Sequence, residues 1–112
     1  MIEKERKTQE FQTRVIHIKE QFQGFDFLVS RASGEFLRNL ILDFINSGKK
    51  VVLDFQGIKG VAHSFADEVF GLLFLKIGMD KIREFLSFEN TSEKIKNLAK
   101  FVIYDRMQRQ NS

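Results

Sequence analysis

Apolar positions along this chain change period several times, and each change predicts an element. Val15-Ile-His-Ile18 is a β-branched run, and Phe25, Phe27 and Val29 alternate on one face, the period of two expected of a half-buried strand. A short polar link, Glu20 to Gly24, joins the two runs and predicts an antiparallel hairpin. From Leu37 the period lengthens, and Leu37, Leu40, Ile41, Phe44 and Ile45 fall on one helical stripe. Ser30 and Ser33 offer two N-caps for this helix, and Gly48 in Asn46-Ser-Gly48 supplies a left-handed stop. Gly34 near its start costs about 1 kcal/mol relative to Ala, which points to a start at Ser33 or to a close contact over that turn.

Val51-Val-Leu-Asp54 follows as a short apolar run suited to a strand covered on both faces. A second helix is expected from about Phe65 to Ile77, with Ser64 as N-cap, Asp67 reaching back as in a capping box, Glu68 in the first turn and Gly78 as the stop. Phe70, Phe74 and Leu75 widen its apolar surface beyond one face, which reads either as deeper burial or as a partner-binding patch. Glu84 to Glu89 has the aromatic content of a fourth strand after a polar connection from Asp80 to Arg83. Asn90-Thr-Ser-Glu93 then caps a last helix with the stripe Ile95, Leu98, Ala99 and Val102. The order is ββαβαβα, which predicts an α/β domain: a four-stranded mixed sheet with three helices, its later strands parallel and joined by right-handed crossovers.

The chain has 112 residues, enough for one domain that buries about two thirds of its unfolded surface. Residues 1–12 read as a charged flexible arm, 13–107 as the domain and 108–112 as a disordered tail. Thirteen Phe against one Tyr and no Trp predict a phenylalanine-rich core. The absence of Cys excludes disulfides, thiolate metal sites and cysteine nucleophiles, and accords with a reducing cytoplasm.

A net charge of +3 is modest, and part of the excess falls in apparent tails, Lys4 to Lys7 and Arg106 to Arg109. Basic residues are interspersed with acidic ones rather than gathered with aromatics, so nucleic acid is not the expected partner. No apolar run approaches the roughly 20 residues of a membrane span and no signal-peptide pattern opens the chain, so a soluble cytoplasmic protein is expected.

Val52-Leu-Asp-Phe-Gln-Gly57 followed by Ser64-Phe-Ala-Asp-Glu-Val-Phe-Gly71, with Ser30-Arg31 opening the first helix, resembles the STAS-like domains. These are relatives of sulfate transporter and anti-sigma factor antagonist domains, and the resemblance is to a bacterial branch of unknown function. The element order agrees over about residues 14–106. In the antagonists this loop carries an Asp-Ser-Ser-Gly motif whose second serine is phosphorylated by an ATPase-type kinase, and an ungapped alignment from Asp54 puts that serine at Ser64. The chain departs from the motif with Ala62 for the Asp, His63 for the first serine and Phe65 for the Gly. The resemblance implies a regulatory protein-binding domain, and members similar to this one are often encoded with or fused to histidine-kinase-like ATPase domains, so such an ATPase is the expected partner. The expected contact residues are Gly60, His63 and Ser64 of the loop and, from the wide apolar surface of the second helix, Phe70 and Phe74.

Three function classes result. The first is a non-enzymatic binding module without cofactor, docking through the Ser64 loop and the second helix. The second is a switch with Ser64 as phosphoacceptor, because a phosphoserine at a helix start meets free amides and the positive end of the dipole. The third is a small enzyme or metal-binding domain in which Asp54, Asp67 and Glu68 converge at the strand's carboxyl end. Against it, helix initiation explains Asp67 and Glu68, and bonds to loop amides explain Asp54. His63 could act as a base for Ser64, but serine catalysis also needs an orienting acid and an oxyanion site, neither of which a sequence displays, and His17 reads as an outward or edge residue.

Overall fold

A computed structural model describes residues 12–110. Strand β1 (Thr13–His17) leads into a single helical turn, α1 (Ile18–Gln21), and a two-residue strand, β2 (Phe27–Leu28). Helix α2 (Arg31–Asn46) returns the chain to β3 (Lys50–Asp54), after which come β4 (Gly60–Val61) and the short helix α3 (His63–Ala66). A π turn (Asp67–Gly71) connects α3 to α4 (Leu72–Phe85), and β5 (Leu86–Glu89) and α5 (Glu93–Gln110) complete the fold.

The strands form two sheets, both parallel. In the larger, β3 lies between β1 and β5, with Ile16 opposite Leu53 and Leu53 opposite Phe88. In the smaller, β2 pairs with β4 alone. The expected four-stranded mixed sheet with an antiparallel hairpin is therefore corrected to sheets of three and two parallel strands. Its physical reason lies in the link. Ile18, fully buried, anchors the turn of α1, and the positive φ of Gln23 (60°) and Gly24 (86°) then redirects the chain, so that β2 begins a separate ribbon beside β4.

Helix α2 starts as its caps suggest, with Ser30 Oγ accepting from Ser33 N at 3.0 Å, and Gly48 follows its end at a φ of 79°. Gly34 marks a close approach: a Cβ there would lie 2.8 Å from Glu68 Cβ and 2.9 Å from the Phe65 carbonyl. The next helix departs from expectation. It begins at His63 with Ala62 as N-cap, and Ser64 instead donates its hydroxyl to the Val29 carbonyl at 2.7 Å. Because that hydroxyl is engaged with the end of β2, the capping box with Asp67 does not form. Gly78 breaks α4 at φ 84°, but the helix resumes to Phe85, over residues expected as a connection and the start of a strand.

Ser92 Oγ accepts from Ile95 N at the start of α5, and this helix continues to Gln110, so residues 108–110 are helical rather than tail. The expected arm over residues 1–12 falls, but for Gln12, outside the described residues, as do residues 111–112. The core is phenylalanine-rich as the composition suggests: Phe55, Phe65 and Phe70 are its largest fully buried side chains. Phe70 packs on Phe88 with ring centroids 5.4 Å apart. At 1% exposure Phe70 is core, which corrects its expected partner-binding role, and Phe74 is half-buried against the same core. No helix among the described residues is long and apolar enough to cross a membrane.

Candidate functional site

The segment from Gly60 to Gly71 is the hub to which the surrounding helices attach. Its centre is the π turn, a rare conformation found often at functional sites. Asp67, the first residue of that turn, is nearly fully buried, and a buried carboxylate needs charged partners to remain ionised. Arg106 of α5 supplies a two-pronged grip, Nε to Oδ1 at 2.9 Å and Nη2 to Oδ2 at 2.5 Å, and Arg31 of α2 adds a bond to Oδ2 at 3.1 Å. Bonding to Arg106 first, then to Arg31, holds the Asp67 carboxyl below the usual carboxylate range despite burial.

Glu68 faces the other way, toward α2. Arg38 Nη1 bonds its Oε2 at 2.9 Å and its backbone carbonyl at 2.7 Å, and Arg31 Nη1 bonds Oε1 at 3.1 Å. These contacts, Arg38 first, lower the Glu68 pKa as well. Three guanidinium groups and two carboxylates thus join α2, the π turn and α5. Two glycines make the approach possible, since a Cβ at Gly34 would strike Glu68 and one at Gly71 would strike Asp67 Oδ1.

Asp54 belongs to a different cluster, at the carboxyl ends of the larger sheet. Its Oδ1 accepts from Asn90 Nδ2 at 2.9 Å and Gln56 N at 3.0 Å, and its Oδ2 lies 3.0 Å from His17 Nδ1. One side chain therefore ties β3 to the last residue of β1 and the residue after β5. Asn90, Gln56 and His17, in that order, lower the Asp54 pKa. His17, Lys19, Gln23, Asp54 and Gln56 help line an open concavity of about 550 Å³ there. Asp54, Asp67 and Glu68 do not converge. No metal-holding group of three or more His, Cys, Asp or Glu occurs among the described residues, so the expected carboxylate site is corrected: arginines take two of its members and strand-end bonds the third.

The expected contact residues separate by depth. Gly60 is buried beneath the Phe27 ring, which a Cβ would meet at 2.7 Å. His63 is exposed and lies edge-on to Phe101 of α5, centroids 5.9 Å apart, while Phe101 itself is 53% exposed. Ser64 is partly exposed beside His63, in its bond to Val29. The arginines are what the reading of the sequence missed. Arg106, assigned there to a charged tail, sits on the stripe Ile95, Ala99, Val102, and Arg38 sits on the stripe Leu37, Ile41, Ile45. A charged residue at a core position of a helix was the available signal, since it requires a buried counter-charge.

No curated protein and no solved structure matches the chain. Residues 33–96 match the family described as the STAS-like domain of unknown function. That match covers more than half of the chain and includes most of α2, the Asp54 strand end, the Ser64 helix start and the π turn with both acidic residues. The chain accordingly belongs to the family of STAS-like domains of unknown function.

Proposed function

We propose that this domain is a non-enzymatic regulatory module that binds a protein partner, a histidine-kinase-like ATPase, through the surface around His63 and Ser64. The observation that carries this reading is the half-exposed Phe101 ring packed edge-on against exposed His63 at the start of α3. An aromatic group held on a rigid base is the usual form of an interface anchor, because little conformational freedom remains to be lost on binding. The base here is rigid: ion pairs from Arg31, Arg38 and Arg106 fix the adjacent turn to two long helices. With Phe70 inside, the second helix contributes its first turn and α5 contributes Phe101. Titration of the ATPase partner against a Phe101 variant tests this reading.

A second reading, phosphorylation of Ser64, is favoured by Arg31. Ser64 precedes Asp67 and Glu68 by three and four residues, a helical face along which Arg31 already bridges the two carboxylates with a half-exposed side chain. A phosphate on Ser64 would forfeit the bond to Val29 and offer Arg31 a stronger acceptor. Intact mass after incubation with the ATPase and ATP tests it: one added phosphate, absent in Ser64→Ala, is the supporting result, and an unchanged mass counts against it.

A further inference from the structure

On the far side of the bond from Ser64 to Val29, β2 presents an apolar edge that the described residues leave exposed. Phe25, Phe27 and Val29 are 67%, 53% and 55% exposed, and Phe36 of α2 is 50% exposed. With Phe22 they line a groove of about 700 Å³ in which no lining residue carries a charge, on a chain that is 29% charged. Among the described residues, no backbone hydrogen bond closes the same side. Asp26 O accepts from Lys59 N at 2.7 Å and Leu28 O from Ala62 N at 2.8 Å, so both residues face β4. Strand alternation then turns the N–H and C=O of Phe27 toward the open edge. Natural sheet edges are usually blunted by Pro, Lys or an inward charge; this chain has no Pro, β2 itself carries no charge, and Asp26 just before it is paired with Lys59 at 3.6 Å.

We infer that the β2 edge pairs with the β2 edge of a second copy, antiparallel and centred on Phe27. The edge is self-complementary. Pairing about Phe27 forms two identical N–H to C=O bonds between the two Phe27 residues; beyond it Phe25 N and Val29 O are already bonded to Phe22 O and Ser64 Oγ, so their side chains alone continue the apolar row across the axis. A symmetric contact brings each residue near the axis against its own kind, so a charged surface would repel itself, and a groove without charges does not. The two ribbons become one four-stranded sheet, β4-β2-β2-β4. This surface meets the one around His63 at the bond from Ser64 to Val29 but contains neither His63 nor Phe101, so Phe101→Ala tests that one and Phe27→Cys this one.

Because the chain has no Cys, one introduced cysteine reports the geometry directly. At the axis the two Phe27 Cα atoms would lie about 5.5 Å apart, within disulfide range, whereas two Phe25 Cα atoms, offset by four residues along the strands, would lie about 14 Å apart. Oxidation is expected to link Phe27→Cys into a dimer and leave Phe25→Cys unlinked. By sedimentation the unmodified chain is expected at twice its 13.1 kDa mass, and Phe25→Lys at the monomer mass with an unchanged melting temperature. A monomeric wild-type chain, or equal linking of both cysteine variants, overturns the proposal. So does a chain that dimerises only after removal of residues 1–11, which would make the arm the occupant of the groove.

Discussion

Arg106 on α5 holds Asp67 of the π turn through two parallel bonds, at 2.9 and 2.5 Å, across 39 residues of sequence. Asp67 is nearly fully buried, so losing this partner leaves a carboxylate with Arg31 alone. Breaking a buried pair by removing one member typically costs about 3 to 5 kcal/mol. Arg106→Ala is expected near the lower end of that range in urea unfolding. Asp67→Ala combined with it should cost less than the sum of the two single changes by at least about 1 kcal/mol. Additive losses would show that the two side chains are not coupled.

Gly34→Ala separates helix propensity from packing. Within a helix the change should gain about 1 kcal/mol. Here the new Cβ meets Glu68 Cβ at 2.8 Å and the Phe65 carbonyl at 2.9 Å, neither being the far end of a flexible chain, so α2 must move away from α3 and the π turn. Overpacking of this kind costs about 1 to 3 kcal/mol, and net destabilisation is expected. A raised melting temperature would mean that the helices are not held as closely as described.

The burial of Phe70 fixes the outcome of Phe70→Ala. A cavity against Phe88 is expected to cost about 3 to 5 kcal/mol, with a smaller loss for half-buried Phe74→Ala. Thermal melting of the two variants, with the loss larger at Phe70, checks this.

Asp54, Asp67 and Glu68 all have carboxyl pKa values lowered in the folded protein, by Asn90, Arg106 and Arg38 first, respectively. The sign follows from linkage. Over the window between the folded values and the unfolded values near 4, the unfolded chain binds more protons, so stability falls as pH falls. It is fully present above about pH 5 and is lost progressively below it. Urea midpoints measured downward from pH 6 should decline, and Asp67→Asn should show a shallower decline. A flat profile would contradict these assignments.

Local chemistry made much of this fold legible. Ser30, Gly48, Gly78 and Ser92 each mark a helix boundary or break by their own conformational preference, and Val51-Val-Leu53 is the strand its β-branched run suggests. The parallel run of β3 and β5 was legible from the helical crossover, but the pairing of the first two runs was not, because it depends on where residues 18–24 carry the chain, which one turn and two positive φ angles decide. Ser64 was misread for a related reason: its hydroxyl had a local acceptor role available, but the end of β2 supplied a distant carbonyl instead. The site's arginines were legible in principle. Arg38 and Arg106 each occupy a core position on an apolar stripe, and only Asp67 and Glu68, assigned to helix initiation, were present at the hub to answer them.

The proposed binding of a protein partner through the surface around His63 is tested most directly by calorimetric titration of the purified domain with the histidine-kinase-like ATPase domain encoded nearest to it in its genome. Wild-type protein is expected to bind one partner, and Phe101→Ala to lose upwards of about 2 kcal/mol of binding, roughly thirtyfold in Kd, with melting unchanged because the ring is half exposed. No binding by the wild type, or binding by Phe101→Ala as tight as by the wild type, would contradict it.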